Sequence, residues 1–194
     1  MYSICGMDDL FKHLLILRSP GIGPVAYEKL LARFGSVDAV IESLHPSAEL
    51  RDAVMREIDS ATRMDIKFVF DTDEYYPNAL RHVKNHPPIL TVRGNIETLR
   101  YESVAMVGTR HATAVGMDFV ANMAAAFAEH NICVTSGMAI GTDSAAHIGA
   151  LRAAGNTNTV AVLAGGVDYI WPLENESLYY EILERGAVVS EMPI

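Results

Sequence analysis

Apolar residues recur at helical spacing through the first 62 positions. In "DDLFKHLLILRS" they fall at Leu10, Phe11, Leu14, Leu15 and Leu17 behind two aspartates, which predicts a helix that stops at Ser19-Pro20. "PVAYEKLLARFG" predicts a second helix closed by Gly35. "SVDAVIESL" and "SAELRDAVMREIDSATRM" each open on a serine suited to cap a helix. Four helices in about sixty residues make a compact bundle with only a small core.

Near Met64 the pattern changes. "IKFVF" and "ILTV" are short strand candidates separated by turn residues. A regular alternation follows: strand 104–107, helix 116–130, strand 132–135, helix 143–154, strand 160–163, helix 175–185, strand 187–190. Such repeats, with nearly continuous apolar strands, predict a Rossmann-like α/β domain over residues 64–194, behind an all-α domain of residues 1–63. Its sheet is expected to be parallel and covered on both faces. Ligands of such sheets sit outside the carboxyl ends of the strands. Those ends are "GTRHATAVG", "SGMAIGTD", "AGGVDYIWPLEN" and "SEMP", so the four loops should share one rim. Only four residues follow the last strand candidate, and the sheet is expected to be incomplete at the C-terminus, with an unfinished edge there.

Composition narrows the classes. Half of the residues are hydrophobic and 20% are charged, as in ordinary globular chains. No basic segment leads into a long apolar core at the N-terminus, and the apolar runs elsewhere are too short to cross a bilayer. A cytoplasmic protein without membrane contact is expected. Cys5 and Cys133 form neither a metal pair nor a disulfide framework, and Cys133, inside "ICVT", reads as a buried small residue. The net charge is −9. Residues 1–100 carry 12 Lys and Arg against 14 Asp and Glu, whereas residues 101–194 carry 3 against 10. Nucleic-acid binding in the second half would therefore be local, drawing on Arg110 among only three cations, the others being Arg152 and Arg185.

"VAMVGTRHATAVG" starts like a nucleotide loop but matches neither the dinucleotide fingerprint nor the P-loop. Gly108 lets the chain leave its strand sharply, Thr109 and Thr113 can donate to a phosphate oxygen, and Gly116 stands where a helix begins. Arg110 supplies a fixed charge and a two-pronged donor. Ser136 and Gly137 form a second small-residue turn, and Gly165 and Gly166 a third. Together they outline an anion site on one rim. In "SPGIGPVAYEKLLARFG", Gly21 and Gly23 fit a helix-hairpin-helix turn, a possible secondary phosphate contact although the turn itself carries no Lys or Arg. Asp143 and His147 share a helix face, but with no third ligand nearby they read as a helix cap and a buried polar contact. Asp168 and Glu174 flank Trp171-Pro172 and read as loop caps. Trp171 either stacks on a base or fills the space under its loop. No catalytic residue, metal or cofactor is assigned.

Taken in order, "LRSPGIGPVAYEKLLARFGSVDAVI", "YYPNALRHVKNHPPILTVRGN", "VAMVGTR", "VTSGMAIGTDSAAHIGAL", "TVAVLAGGVDYIWPLEN" and "GAVVSEMP" resemble the DNA-processing protein A (DprA/Smf) family. The resemblance implies a helical SAM-like domain followed by an extended Rossmann-type domain. It also implies binding and protection of single-stranded DNA and loading of a RecA-type recombinase during natural transformation. Arg110 matches the arginine of the family's G-[ST]-R pocket. Three departures stand out. The usual GID is Gly141-Thr142-Asp143, preceded by Ile140 where an arginine is common. "AAGNTNTVAV" is longer than usual and carries asparagines in place of a lysine. The family also continues past "SEMP" into a part that completes the sheet, helps close the pocket and forms the dimer contact. This chain alone is therefore expected to be monomeric, although the family forms homodimers.

The principal rival is a nucleotide-binding enzyme similar to nucleoside-monophosphate phosphoribohydrolases. Their third loop reads P-G-G-x-G-T-x-x-E, whereas here Gly166 is followed by Val167-Asp168. A structural domain with an unused rim is the other alternative.

Overall fold

The computed structural model describes residues 6–154 and 159–194. Cys5 and the asparagines of "AAGNTNTVAV" lie outside the described residues. The chain opens with helices α1 (Met7–Leu17), α2 (Pro24–Phe34), α3 (Val37–Leu44) and α4 (Ala48–Arg63). Their ends follow the local chemistry. Gly35 closes α2 at φ 77°, a left-handed conformation natural to glycine. The hydroxyl oxygens of Ser36 and Ser47 accept hydrogen bonds from the Ala39 and Leu50 amides, each at 3.2 Å. Arg18 at the end of α1 grips Glu57 of α4 through two hydrogen bonds of 3.0 and 2.7 Å, both side chains being largely buried. Leu10, Leu14 and Leu15 of α1 join Val54, Ile58 and Ala61 of α4 in one apolar cluster that continues into the sheet.

The sheet has six strands: β1 (Ile66–Phe70), β2 (Ile89–Gly94), β3 (Ser103–Ala105), β4 (Cys133–Ser136), β5 (Thr159–Val162) and β6 (Ala187–Ser190). Their spatial order is β1-β2-β6-β5-β4-β3. The four strands from the strand-helix repeat are parallel neighbours, as the alternation requires. The sheet as a whole is mixed rather than parallel, because β1 and β2 add on in antiparallel register, with Val92 opposite Val189. This corrects a second expectation. β6 is no unfinished edge: it is hydrogen-bonded to β5 on one side and β2 on the other, and the sheet's edges are β1 and β3.

A short helix, α5 (Asn78–Arg81), lies between β1 and β2, and α6 (Ala114–Glu129), α7 (Thr142–Arg152) and α8 (Glu176–Arg185) link the parallel strands. The last three all pack on the face that carries Val134, Ala161 and Val188. The opposite face is not covered along its length. Tyr76, Leu99, Tyr75, Leu80 and Ile96 cap Val69, Leu90, Val92, Val189, Val160 and Cys133 there. Beyond them, Val107 and Val162 stand 75% and 48% exposed. The expectation of helices on both faces fails because every helical crossover between the parallel strands runs over the same side.

The tightest packing lies between α6 and α7. A Cβ at Gly149 would come within 2.6 Å of the Ala121 Cα and closer still to its carbonyl, so only glycine lets these backbones meet. Ala124 and Ala128 of α6 and Ala146 and Ala150 of α7 complete a seam of small residues against Val134. Gly149→Ala must force the helices apart, which should cost about 1–3 kcal/mol. A melting temperature unchanged from wild type would contradict this packing.

His147, fully buried on α7, pairs its Nδ1 with the Thr159 hydroxyl at 2.7 Å. That hydroxyl donates to the Val134 carbonyl at 2.6 Å, so it accepts from the imidazole, and Nε2 is left without a partner. Burial holds the imidazole neutral, lowering its pKa from 6.5 to about 3. The unfolded chain therefore binds the extra proton first as pH falls. Stability is full above pH 6.5 and declines towards pH 3, by up to about 1.4 kcal/mol per pH unit for one group. Denaturant melts of wild type and His147→Leu between pH 7 and 4 should show a shallower decline in the variant. Parallel declines would contradict the assignment.

Candidate nucleic-acid interface

The carboxyl ends of the parallel strands meet on one rim, and specific contacts bind the loops together. After β3 the chain turns at Gly108, where a Cβ would lie 2.6 Å from the Thr142 Oγ1. Thr142, the first residue of α7, donates to the Thr109 carbonyl twice, from its amide at 3.2 Å and its hydroxyl at 3.1 Å. Gly141 has φ +85°, and a Cβ there would come 2.6 Å from the Thr109 carbonyl oxygen and 2.8 Å from that of Arg110. Both glycines are thus required by close approach. The β5 loop reaches the same place, with the Arg110 guanidinium 5.5 Å from the centre of the Trp171 ring. On its other flank Gly166 abuts the segment after β6, where a Cβ would lie 2.5 Å from the Pro193 carbonyl oxygen.

The outlined residues divide into those that face outward and those engaged within the fold. Gly108, Thr109, Arg110 and Thr113 are exposed, as is Gly137, while Gly165 and Gly166 are half-buried. Thr109 Oγ1 accepts from the His111 amide at 3.1 Å, which shapes the turn. Thr113 caps α6 by accepting from the Gly116 amide at 3.1 Å, so that amide is already spent. Gly116 instead leaves room for the cap, since a Cβ there would sit 3.2 Å from the Thr113 Oγ1. Ser136 is buried, and its hydroxyl donates to the Met106 carbonyl at 2.6 Å. It ties the end of β4 to the exit of β3 rather than pointing outward. Gly21 (φ +78°) and Gly23, at the start of α2, lie exposed in the α1–α2 turn, but Arg18, just before that turn, is held by Glu57.

Asp143 and His147 do not converge. The Asp143 carboxylate accepts from the Ala139 amide at 3.3 Å, closing the β4–α7 turn from the second residue of α7, where Gly141 holds the cap position. His147 faces Thr159 in the core. Burial pushes the Cys133 thiol up to about 12, so it stays protonated. Asp168 and Glu174 are exposed on the third loop. Of the three cations in residues 101–194, Arg185 donates to the Leu151 and Ala153 carbonyls and closes α7. Among the described residues Arg110 has no ion-pair partner; its guanidinium meets only an aromatic face. The cation–π contact of Arg110 with Trp171 has no signature in local spacing, since 61 positions of sequence separate two residues that only the sheet order brings together. Among the described residues no three His, Cys, Asp or Glu side chains are grouped to hold a metal ion, and no helix is long and apolar enough to cross a membrane.

The fold defines the class: an α/β protein with a Rossmann-like parallel core, an N-terminal helical bundle with a helix-hairpin-helix turn, and a rim of loops at the carboxyl ends of its parallel strands. Within that class the chain belongs to the DNA recombination-mediator protein A family, whose model matches residues 67–194, while residues 7–67 match the DprA-like N-terminal HHH domain. It is 26% identical to the DNA processing protein DprA of Bacillus subtilis over 98% of this chain and 65% of that protein. Protein Smf of Synechocystis is 32% identical over 66% of this chain and 33% of its own length. The X-ray structure of DNA processing protein A from Streptococcus pneumoniae superposes with a TM-score of 0.71 at 26% identity, covering 93% of this chain and 67% of that one. A structure of the Helicobacter pylori protein, described for its unique single-stranded DNA binding mode, gives 0.56 at 27% identity over 66% of this chain and 59% of that one. The chain spans between 23% and 65% of the length of the curated relatives it matches.

The two rim glycines should respond differently to substitution. Gly141→Ala meets backbone in a conformation alien to side chains and should cost about 1–3 kcal/mol. Gly108→Ala presses on the Thr142 side chain, with Oγ1, Cγ2 and Cβ 2.6, 2.8 and 2.9 Å away, but without a left-handed φ or a clash with backbone it should cost less. Equal losses in denaturant melts would contradict this description of the rim.

Proposed function

We propose that this chain binds single-stranded DNA along the rim, with Arg110 holding a backbone phosphate. One observation carries the reading: the only cation of the acidic second half aimed at the loop junction is Arg110, which has no carboxylate partner among the described residues. Gly108, Thr109 and Thr113 shape the loop around it. Gly137, Gly165 and Gly166 keep the neighbouring turns low enough for a strand to approach. Gly116 and Ser136 serve by holding the α6 cap and the β3 exit in place. The single-stranded DNA binding mode described for the Helicobacter pylori relative supports the same ligand. The α1–α2 turn at Gly21 and Gly23 is a secondary backbone contact, weaker for want of a free cation.

The wider role is a cytoplasmic one in DNA processing: protecting incoming single strands and passing them to a RecA-type recombinase, with homodimers formed by longer family members. This is a binding role rather than a catalytic one. In the phosphoribohydrolase alternative, the second glycine of the third loop opens a Gly-Thr turn with amides for a phosphate. Here Gly166 leads into buried Val167 instead. Release of free base from AMP would favour that alternative.

Arg110→Ala should cost roughly 1.5–3 kcal/mol of oligo-dT affinity, about ten- to a hundredfold. Arg110→Lys should recover part of it, because an ammonium keeps the charge but not the two-pronged geometry. Few phosphates are engaged, so log affinity should fall with log salt at about −0.7 per phosphate. Anisotropy titrations across a salt series, on variants shown to be folded by thermal melt, make the test. An Arg110→Ala variant that binds as tightly as wild type would remove DNA from this loop.

A further inference from the structure

The third loop has a feature that phosphate binding does not use. Between residues 169 and 173 its side chains alternate, with Ile170 packed against the core and Pro172 buried. Tyr169, Trp171 and Leu173 turn outward and stand 64%, 53% and 71% exposed. Trp171 therefore does not fill the space under its loop. Inward Ile170 and Pro172 anchor the segment, while the largest side chain of the protein is left at the surface. Its ring is held against the Arg110 guanidinium, 5.5 Å from ring centre to Cζ. Tyr169 lies back over Gly165, where a Cβ would be 3.6 Å from its ring.

We infer that Trp171 is a base-stacking platform for the nucleotide whose phosphate Arg110 holds, with Tyr169 as the neighbouring aromatic surface. This rests on the single-stranded DNA reading above and adds the part of the strand that the loop recognises. A strand's phosphates and bases lie side by side, and the rim offers a partner for each at adjacent positions: a cation with no carboxylate partner among the described residues and an exposed aromatic ring. Stacking is indifferent to base identity because every base has a π face. The arginine serves both groups, since a guanidinium lying on an aromatic ring keeps its edge donors free for phosphate oxygens. The surrounding acidic charge disfavours a polyanion in general, which makes a contact that depends on bases as well as phosphates the more valuable.

Trp171 is the chain's only tryptophan, so its emission reports on this position alone. The test follows fluorescence and anisotropy together while wild type is titrated with a labelled dT 12-mer or with an abasic strand of equal length. Trp171→Ala and Trp171→Tyr, checked for folding by thermal melt, are titrated by anisotropy. The proposal expects dT to quench Trp171 in step with the anisotropy rise and the abasic strand to bind at least fivefold more weakly. It also expects Trp171→Ala to lose a similar factor and Trp171→Tyr to recover most of it. The abasic arm separates stacking from mere positioning of Arg110: if both strands bind wild type equally, Trp171 does not touch a base and the inference fails. If dT binds without changing Trp171 emission, the inference fails while the DNA reading stands. If wild type binds neither strand at low salt, the DNA reading itself falls. The two wild-type titrations decide the matter even if Trp171→Ala does not fold.

Discussion

The Thr109 carbonyl is the point on which the rim depends. It receives two hydrogen bonds from Thr142, and through them the loop after β3 is fastened to the first turn of α7. The fastening is possible only because Gly108 and Gly141 present no side chains at the junction. Arg110 follows directly, so its position is set by backbone chemistry, and among the described residues no salt bridge holds it. That suits the proposed phosphate contact: a carboxylate partner would have to be displaced first, whereas an aromatic face can remain in place.

The same logic extends outward through the fold. Ser136 holds the end of β4 to the exit of β3 through the Met106 carbonyl, and Asn175 donates to the Met138 carbonyl at 2.7 Å, tying the third loop's end to the second. Gly149 lets α7 lie directly on α6, which keeps the start of α7 close to the β3 loop. The helical bundle shares its core with the sheet, since Leu14, Val54 and Ile58 belong to the same cluster as Met138, Leu163 and Val167. The residues beneath the second and third loops therefore belong to one continuous apolar cluster with α1 and α4.

Much of this was legible in the sequence, for local reasons. Ser36, Ser47 and Gly35 mark helix ends by chemistry that acts within four residues, and the four parallel strands announce themselves as apolar runs between helices. What was missed is non-local. β2 joins β6 across nearly a hundred residues, sealed by the Thr91 hydroxyl donating to the Ser190 carbonyl at 3.0 Å, and nothing in "ILTV" names that partner. Ser136 reads as a phosphate ligand because small polar residues at a strand end suit either role; its partner, the Met106 carbonyl, lies 30 positions away. The sequence admits two roles for Trp171, and only its exposure in the fold excludes that of filling the space under its loop.

The central claim is that single-stranded DNA lies across the junction of the β3, β4 and β5 loops. Amide chemical-shift mapping of the isotopically labelled chain during titration with a short dT strand tests it residue by residue. The account predicts that the largest changes fall on Gly108, Thr109, Arg110, Gly137, Gly165 and Gly166 and on the indole N–H of Trp171, with small changes around Gly21 and Gly23. Changes confined to the α1–α2 turn, or to the exposed sheet face around Val107 and Val162, would contradict it.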